Sequence, residues 1–117
     1  LAQSCDLHLD SIGFSGGITS MELLSLGLPT VTLPGLRMRS RQTAAMLRLV
    51  DAGELAAEDE DGYCALAIEL ARSPQRRLEL RQRIHANRAR LHEGDATVAA
   101  FARFLEQAWS RHTIATH

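Results

Sequence analysis

The chain has 117 residues, of which 45% are hydrophobic and 23% charged, and this length corresponds to one domain or part of one. The apolar content is enough to bury a core and excludes an intrinsically disordered chain. No segment approaches the roughly 20 apolar residues of a membrane span, and a net charge of −1 excludes an overall field that draws the chain to nucleic acid or an anionic membrane.

The cysteine, histidine and lysine content limits the chemistry of the chain. Cys5 and Cys64 do not make a disulfide framework, so we expect them to be small buried hydrophobic side chains in a reducing, cytoplasmic protein. Cys and His lack zinc-type spacing, so we expect no metal. All 13 basic residues are Arg, and any step that needs a lysine amine must come from outside these residues.

The first half of the chain has the pattern of a βαβ unit. Alternating apolar and polar residues predict a strand over 5–9, and a β-branched run predicts a second strand over 29–33. Three glycines in 10–17 predict a loop between them. A mostly apolar run over 18–26 predicts a short helix that is buried on most sides and ends at Gly27.

The second half of the chain is predicted to be helical, with one short strand at 54–56. Apolar residues recur at helical spacing in four segments, and the last segment has the most regular period. Ser73 before a proline predicts an N-cap and a helix start. The four apolar stripes are Thr43, Met46, Leu47 and Val50; Tyr63, Leu66, Ala67 and Leu70; Leu80, Ile84 and Leu91; and Val98, Phe101, Ala102, Leu105 and Trp109.

Strands that alternate with helices predict an α/β fold with a parallel sheet. A stable open sheet has about four to six strands, more than this chain supplies. We therefore expect the other strands to precede Leu1, and the chain to be the trailing half of an α/β domain.

The glycine-rich loop is a candidate anion site. A strand, a loop and a helix N-terminus place free backbone N–H groups at the carboxyl end of the strand, where ligands bind in open α/β sheets. Ser15, Thr19 and Ser20 add hydroxyl groups. The spacing is that of neither a dinucleotide-binding loop nor a P-loop, and such turns also permit tight packing, so the spacing alone leaves both readings open.

Glu22 is the acidic residue nearest this loop. It lies about one turn into an otherwise apolar helix, where burying an unpaired carboxylate is costly. Beside an anion-binding loop, it is placed to accept two hydrogen bonds from a ribose diol. The alternative is an ordinary glutamate that faces solvent or pairs with an arginine.

These features together resemble the catalytic C-terminal lobe of the protein O-GlcNAc transferases, and most closely their bacterial SPINDLY-like relatives, which carry upstream tetratricopeptide repeats. The resemblance runs from about Ser4 to Leu105 and is strongest over 5–47. It is carried by L-D-S at 9–11, S-G-G-I-T-S-M-E at 15–22, G-L-P at 27–29, V-T-L-P-G at 31–35 and the segment 41–47.

The resemblance implies a GT-B glycosyltransferase, in which two Rossmann-like lobes bind a nucleotide sugar between them. Residues 1–57 are then the donor-binding βαβα portion of the C-terminal lobe, and 58–117 its helical end. The implied donor is a UDP-sugar, which the family resemblance suggests is UDP-GlcNAc. The implied acceptor is a protein or peptide hydroxyl that binds through the other lobe. No metal or other cofactor is expected. The implied donor-binding residues are Ser15, Gly16, Gly17, Ile18, Thr19, Ser20 and, at the ribose, Glu22, with 34–41 near the same cleft.

The chain departs from the family pattern at Gly17-Ile18, where members carry a polar residue followed by Thr. Two side chains that could touch the diphosphate are therefore absent, and a degenerate member that binds without catalysing is an alternative. The diphosphate-binding lysine of the family lies upstream, so we expect these residues alone to be inactive. The stripe ending at Trp109 suits a helix packed on the partner lobe, although packing on its own lobe needs the same stripe.

Residues 72–90 carry seven arginines and one acid, Glu79, which together give a net charge of +6. An arginine-rich docking or nucleic-acid-binding module is therefore a third reading. No aromatic residue is interleaved for base stacking, and Glu54 with 58–61 offers neutralising charge. We favour a solvated helix face. The five histidines have no nearby partners that predict a catalytic triad.

Overall fold

The computed structural model describes residues 4–115 and contains two short parallel strands and five α-helices in that range. Single turns of 3-10 helix occupy Met38–Ser40, Gly53–Leu55 and Arg88–His92. In chain order the elements are β1 (His8–Leu9), α1 (Ile18–Ser25), β2 (Thr30–Val31), α2 (Gln42–Leu49), α3 (Glu60–Arg72), α4 (Pro74–Asn87) and α5 (Asp95–Ala115).

The sheet confirms the predicted βαβ unit, with strands shorter than the sequence pattern indicated. β1 and β2 pair in parallel, with His8 opposite Thr30 and Leu9 opposite Val31. The backbone N–H of Asp10 continues the ladder by donating to the carbonyl of Val31 over 2.9 Å. The carboxyl ends of both strands therefore lie side by side, and the loops that follow them are neighbours.

The predicted strand at 54–56 is wrong over most of its length. Gly53–Leu55 is a 3-10 turn, because the N–H groups of Leu55 and Ala56 bond locally to carbonyls three residues earlier. Only Ala56 forms a parallel bridge, and its partner is Thr32, directly after β2. The chain therefore passes beside β2, where a third strand would pair, and makes only this single bridge.

Gly27 ends α1 as predicted. Its φ is +82°, and the N–H groups of Gly27 and Leu28 donate to the carbonyls of Leu24 and Leu23, which is the Schellman arrangement. A Cβ atom at Gly27 would lie 3.3 Å from Cγ and 3.4 Å from the carbonyl oxygen of Arg81. Glycine is thus needed both for the turn and for the close approach of α4.

The core lies between the sheet and helices α1, α2, α3 and α4. Three of the predicted stripes contribute to it, and the Leu80, Ile84 and Leu91 stripe is buried as expected, with Leu91 in the turn after α4. Burying one such leucine contributes roughly 1.5–3 kcal/mol. The buried cluster comprises Leu24, Val31, Leu47, Val50, Ala52, Leu55, Leu70, Leu80, Ile84 and Leu91.

Side-chain caps set the starts of α3 and α4. Asp59 accepts a 2.7 Å hydrogen bond from the N–H of Gly62 at the start of α3. Ser73 accepts a 3.2 Å bond from the N–H of Arg76, with Pro74 at the first helical position of α4, as predicted. The Ser73 cap fixes the turn between the two helices.

The expectation that both cysteines are buried is not met. Cys64 is exposed on α3 and Cys5 is half-buried, and no disulfide joins the two. Cys64 is rotated by about 100° from the inward-facing Tyr63, so it lies outside the apolar stripe of α3. The stripe of α5 has the predicted period but is uncovered: Phe101 is 61% and Trp109 71% exposed. The rest of residues 4–115 does not cover this stripe.

Candidate functional site

The glycine-rich loop is fixed first by Asp10, the residue after β1. The Asp10 side chain is buried, and one carboxylate oxygen accepts a 2.9 Å hydrogen bond from the N–H of Gly16. The other oxygen accepts a 2.8 Å bond from the hydroxyl of Thr32, directly after β2. One carboxylate thus joins the loop to the carboxyl ends of both strands.

A second set of bonds joins the loop to the segment before α2. The backbone N–H and the hydroxyl of Ser15 both donate to the carbonyl of Arg39, over 2.8 and 3.0 Å. The same hydroxyl accepts a 3.2 Å bond from the N–H of Gln42, the first residue of α2. Ser15 therefore acts inside the protein, as a clamp between two neighbouring loops.

Gly16 is held on both sides and cannot carry a side chain. Its carbonyl accepts a 3.2 Å bond from the hydroxyl of Thr43, which also lies 2.9 Å from the hydroxyl of Ser20. A Cβ atom at Gly16 would collide with the Ser20 hydroxyl. At this position the loop is tightly packed, which is what the packing interpretation of the glycine requires.

The N-terminus of α1 is the open part of the loop. The first bond of α1 runs from the N–H of Met21 to the carbonyl of Gly17, so the N–H groups of Ile18, Thr19 and Ser20 have no intrahelical partner. Gly17 provides no capping side chain. Backbone N–H groups and the helix dipole together make such a terminus favourable for an anion.

The structure brings the seven predicted donor-binding residues together at one loop–helix junction and divides them by exposure. Ser15 and Ser20 are buried, and their hydroxyl groups bond to protein atoms. The Ile18 side chain is 77% exposed, Thr19 is exposed, and Gly17 is half-buried. The residues presented outward are therefore those around the first turn of α1.

Glu22 is exposed, because α1 buries only Ser20 and Leu24. The expectation of a helix buried on most sides is thus wrong. Within the described part of the chain, Glu22 forms no ion pair. Glu22 lies four positions after Ile18, so its side chain projects from the same helix face as that of Ile18, one turn further along α1.

A surface cavity of about 560 Å³ adjoins the loop on its other side. The segment predicted near the cleft, 34–41, supplies much of its lining, and Ile12 and Gly13 supply the edge toward the loop. The first turn of α1 is not part of the lining. The cavity therefore borders the candidate anion site and is separate from it.

The arginine-rich stretch is engaged mainly within the fold. Arg76 and Arg83 both pair with Glu54, at 3.4 and 2.6 Å, and Arg77 donates to the last carbonyls of α3. Among residues 4–115, the acidic run 58–61 forms no ion pair with this stretch. These contacts favour a structural role over a nucleic-acid interface.

Sequence reasoning missed Asp10, Thr32 and Thr43, the polar side chains that hold the loop. A charged residue directly after a strand, in a first third of the chain with few charges, is the one local signal for Asp10. Between residues 4 and 115, no cluster of three or more His, Cys, Asp or Glu side chains has the arrangement of a metal site. None of the helices in that range is long and apolar enough to span a bilayer.

Comparison with known proteins gives the family. The model of glycosyl transferase family 41 matches residues 1–97, and the chain belongs to this family. A solved O-GlcNAc transferase from Thermobaculum terrenum, a lysine-to-methionine variant, superposes with a TM-score of 0.76 and 31% identity. The match covers 94% of this chain and 21% of that one. The parallel strands and helices agree with part of a Rossmann-like lobe of a GT-B glycosyltransferase.

Curated plant proteins are also similar. The rice protein named probable UDP-N-acetylglucosamine–peptide N-acetylglucosaminyltransferase SPINDLY is 32% identical over 104 residues, which is 89% of this chain and 11% of that protein. The SPINDLY protein of Eustoma exaltatum is 36% identical over 66 residues, which is 56% of this chain and 7% of that protein. The chain thus spans about a tenth of these relatives or less.

Proposed function

We propose that this chain is the donor-binding part of a cytoplasmic glycosyltransferase that transfers a sugar from a UDP-sugar, UDP-GlcNAc by family, to a protein hydroxyl. Family membership and the names of the SPINDLY relatives support the class of reaction. The observation that carries the proposal for this chain is the open first turn of α1, with the exposed Glu22 side chain one helical turn further along. The loop in front of it is rigidly held.

In the proposed reaction, the acceptor oxygen bonds to the anomeric carbon of the sugar and the hydroxyl gives up its proton. The bond from that carbon to the β-phosphate oxygen breaks, and negative charge develops on the departing diphosphate. The unpaired N–H groups of the exposed residues Ile18 and Thr19 would stabilise that charge. Because the loop is fixed by bonds from Asp10, Ser15 and Thr43, these dipoles need no reorganisation as the bond breaks. The chain contains no lysine, so any ammonium contact comes from another part of the enzyme.

Glu22 is proposed to hold the ribose. Its carboxylate lies one helical turn after the open N–H groups, and two oxygens can accept hydrogen bonds from the two ribose hydroxyls. The exposure of Glu22 and its lack of an ion pair within residues 4–115 leave the carboxylate accessible to a ligand.

The acceptor is proposed to bind through a second lobe, which these residues do not include. The uncovered stripe of α5, which contains Phe101 and Trp109, is proposed to pack against that lobe. Large contiguous apolar surfaces of this kind mark interaction sites. These residues alone are accordingly expected to transfer no sugar.

Titration of UDP into the full-length protein by calorimetry tests the proposal. Glu22→Gln removes a charge-assisted acceptor and is expected to weaken UDP binding about tenfold, which corresponds to about 1.4 kcal/mol. Glu69→Gln, at an exposed position of α3, is the matched control and is expected to have no effect. Absence of UDP binding, or an unchanged affinity in Glu22→Gln, contradicts the proposal.

A degenerate, non-catalytic nucleotide-binding protein is the second candidate. Gly17 offers no side chain to the diphosphate, and the exposed Ile18 side chain offers only apolar surface. A transfer assay with UDP-GlcNAc and a peptide mixture separates the two candidates. UDP binding with no transfer favours the degenerate protein, and transfer favours the enzyme.

A further inference from the structure

We infer that Asp10 is a positioning residue for the donor site and holds the glycine-rich loop in its binding conformation. The inference rests on the proposed function, since it concerns the same site. Asp10 is only 3% exposed and is the one buried acidic residue between residues 4 and 115. We propose no contact between Asp10 and the donor; Asp10 acts through Gly16.

Each polar group of Asp10 binds a different part of the fold. The backbone N–H donates to Val31 of β2, and the backbone carbonyl accepts a 2.7 Å bond from the hydroxyl of Tyr63 in α3. The two carboxylate oxygens accept bonds from Gly16 and Thr32. Asp10 is therefore the point at which the loop, both strands and α3 are joined.

The carboxylate is buried without a cation. None of the ion pairs formed by residues 4–115 includes Asp10. A buried charge of this kind requires hydrogen bonds to both oxygens, and charge-assisted bonds are stronger than neutral ones. The bond to Gly16 is thus a strong constraint on the backbone of the loop.

The bonds to Gly16 fix the direction of its peptide groups, and this direction sets how the loop leads into α1. The N–H of Gly16 is drawn inward by Asp10 and its carbonyl is held by Thr43, so the chain turns outward only from Gly17 onward. Without Asp10, the Gly16 N–H is free to rotate, and loop conformations that misdirect the first turn of α1 become populated. A donor then binds only the competent fraction of molecules, which raises the apparent Kd by the inverse of that fraction.

This mechanism predicts a specific kinetic pattern. A loop that is competent in one tenth of free molecules gives about a tenfold higher Kd for UDP and KM for UDP-GlcNAc. The turnover number at saturating donor stays within about twofold, because bound donor selects the competent loop. A residue needed only for folding would lower the active fraction, and hence the apparent kcat, without changing KM.

The test compares variants of the full-length protein by UDP calorimetry and donor kinetics. Asp10→Ala is expected to raise Kd and KM about tenfold with kcat unchanged. Asp10→Asn keeps an oxygen for Gly16, and the hydroxyl of Thr32 can turn to accept from the amide, so its Kd is expected to stay within threefold of wild type. Thr30→Val removes a buried hydroxyl that bonds to the carbonyl of Leu28 and not to the loop, and controls for general destabilisation.

A measurement on the wild-type protein keeps the inference testable if Asp10→Ala does not fold. Amide hydrogen exchange is expected to show Gly16 protected without ligand, and Ile18 and Thr19 protected only after UDP is added. Rapid exchange of Gly16 in the free protein, or UDP affinity unchanged in a folded Asp10→Ala variant, overturns the inference. If wild type binds no UDP at all, the proposed function itself fails, so the two failures are distinguishable.

Discussion

The hydroxyl of Tyr63 donates a 2.7 Å hydrogen bond to the backbone carbonyl of Asp10, which lies 53 residues earlier in the chain. This bond ties the first turn of α3 to the end of β1, directly beside the glycine-rich loop. Burial raises the pKa of the Tyr63 hydroxyl, and the nearby Asp10 charge raises it further, so the donor remains protonated at neutral pH.

Tyr63→Phe tests the contribution of this bond to stability. The substitution removes the donor and leaves the carbonyl of Asp10 without its partner, so we expect a loss of about 1 kcal/mol in the free energy of unfolding. Urea denaturation measures the change. Ser110→Ala, which removes an exposed hydroxyl from α5, is the control. Equal stability of Tyr63→Phe and wild type would show that the bond is not formed in solution.

The lowered pKa of His8 leads us to expect that the stability of the fold depends on pH. Burial lowers the pKa of the His8 imidazole below its ordinary value of 6.5, and the charge of Asp10 only partly offsets this effect. The unfolded chain therefore binds the proton more readily than the folded chain. The stabilisation is complete above pH 6.5 and is lost as the pH falls through the folded-state pKa.

Unfolding measured at pH 7.5 and pH 5.5 checks this prediction. His8→Gln is expected to reduce the loss of stability between the two values, since it removes the group that must be protonated. His112→Gln, at an exposed position of α5, is the matched control. A pH slope that is unchanged in His8→Gln would refute the assignment.

Substitution of two glycines distinguishes the cost of backbone strain from the cost of a steric collision. Gly27 and Gly13 both have positive φ, +82° and +88°, but only at Gly27 would an added Cβ meet other atoms, those of Arg81. We expect Gly13→Ala to cost about 1 kcal/mol from the left-handed backbone, and Gly27→Ala clearly more. Thermal unfolding ranks the two variants. The reverse ranking would mean that α4 does not approach Gly27 as closely as described.

The stripe of α5 predicts a contact outside these residues. In the full-length protein, Phe101→Ser and Trp109→Ser are expected to lower stability by several kcal/mol, in the range of losses at large buried side chains. Ile68→Ser, at a single exposed position of α3, is the control and is expected to change stability by at most about 0.5 kcal/mol. Stripe variants no less stable than this control would mean that the stripe stays in solvent and does not pack on a second lobe.

Features specified by local chemistry were predictable from the sequence. Gly27 stops α1 because few other residues adopt its backbone conformation, and Ser73 starts α4 because its hydroxyl caps a nearby N–H group. The parallel pairing of the strands followed from the βαβ order. The position of the glycine-rich loop at the carboxyl end of β1 followed for the same reason.

Features that depend on distant partners were not predictable. Asp10 meets Thr32 and Tyr63 only after the chain has folded, and no short-range pattern records those bonds. The periodicity that identified α5 is the same for a helix that packs on its own lobe and for one that packs elsewhere. At 54–56, local bonds of the 3-10 turn outweighed the strand pattern. The role of the seven donor-site residues stays a prediction.

The most direct measurement is an experimental structure of the full-length protein with UDP bound. We expect diphosphate oxygens within about 3 Å of the backbone nitrogens of Ile18 and Thr19, with the ribose hydroxyls bonded to the carboxylate of Glu22. A nucleotide bound at another surface, with the first turn of α1 covered by neighbouring protein atoms, would contradict it.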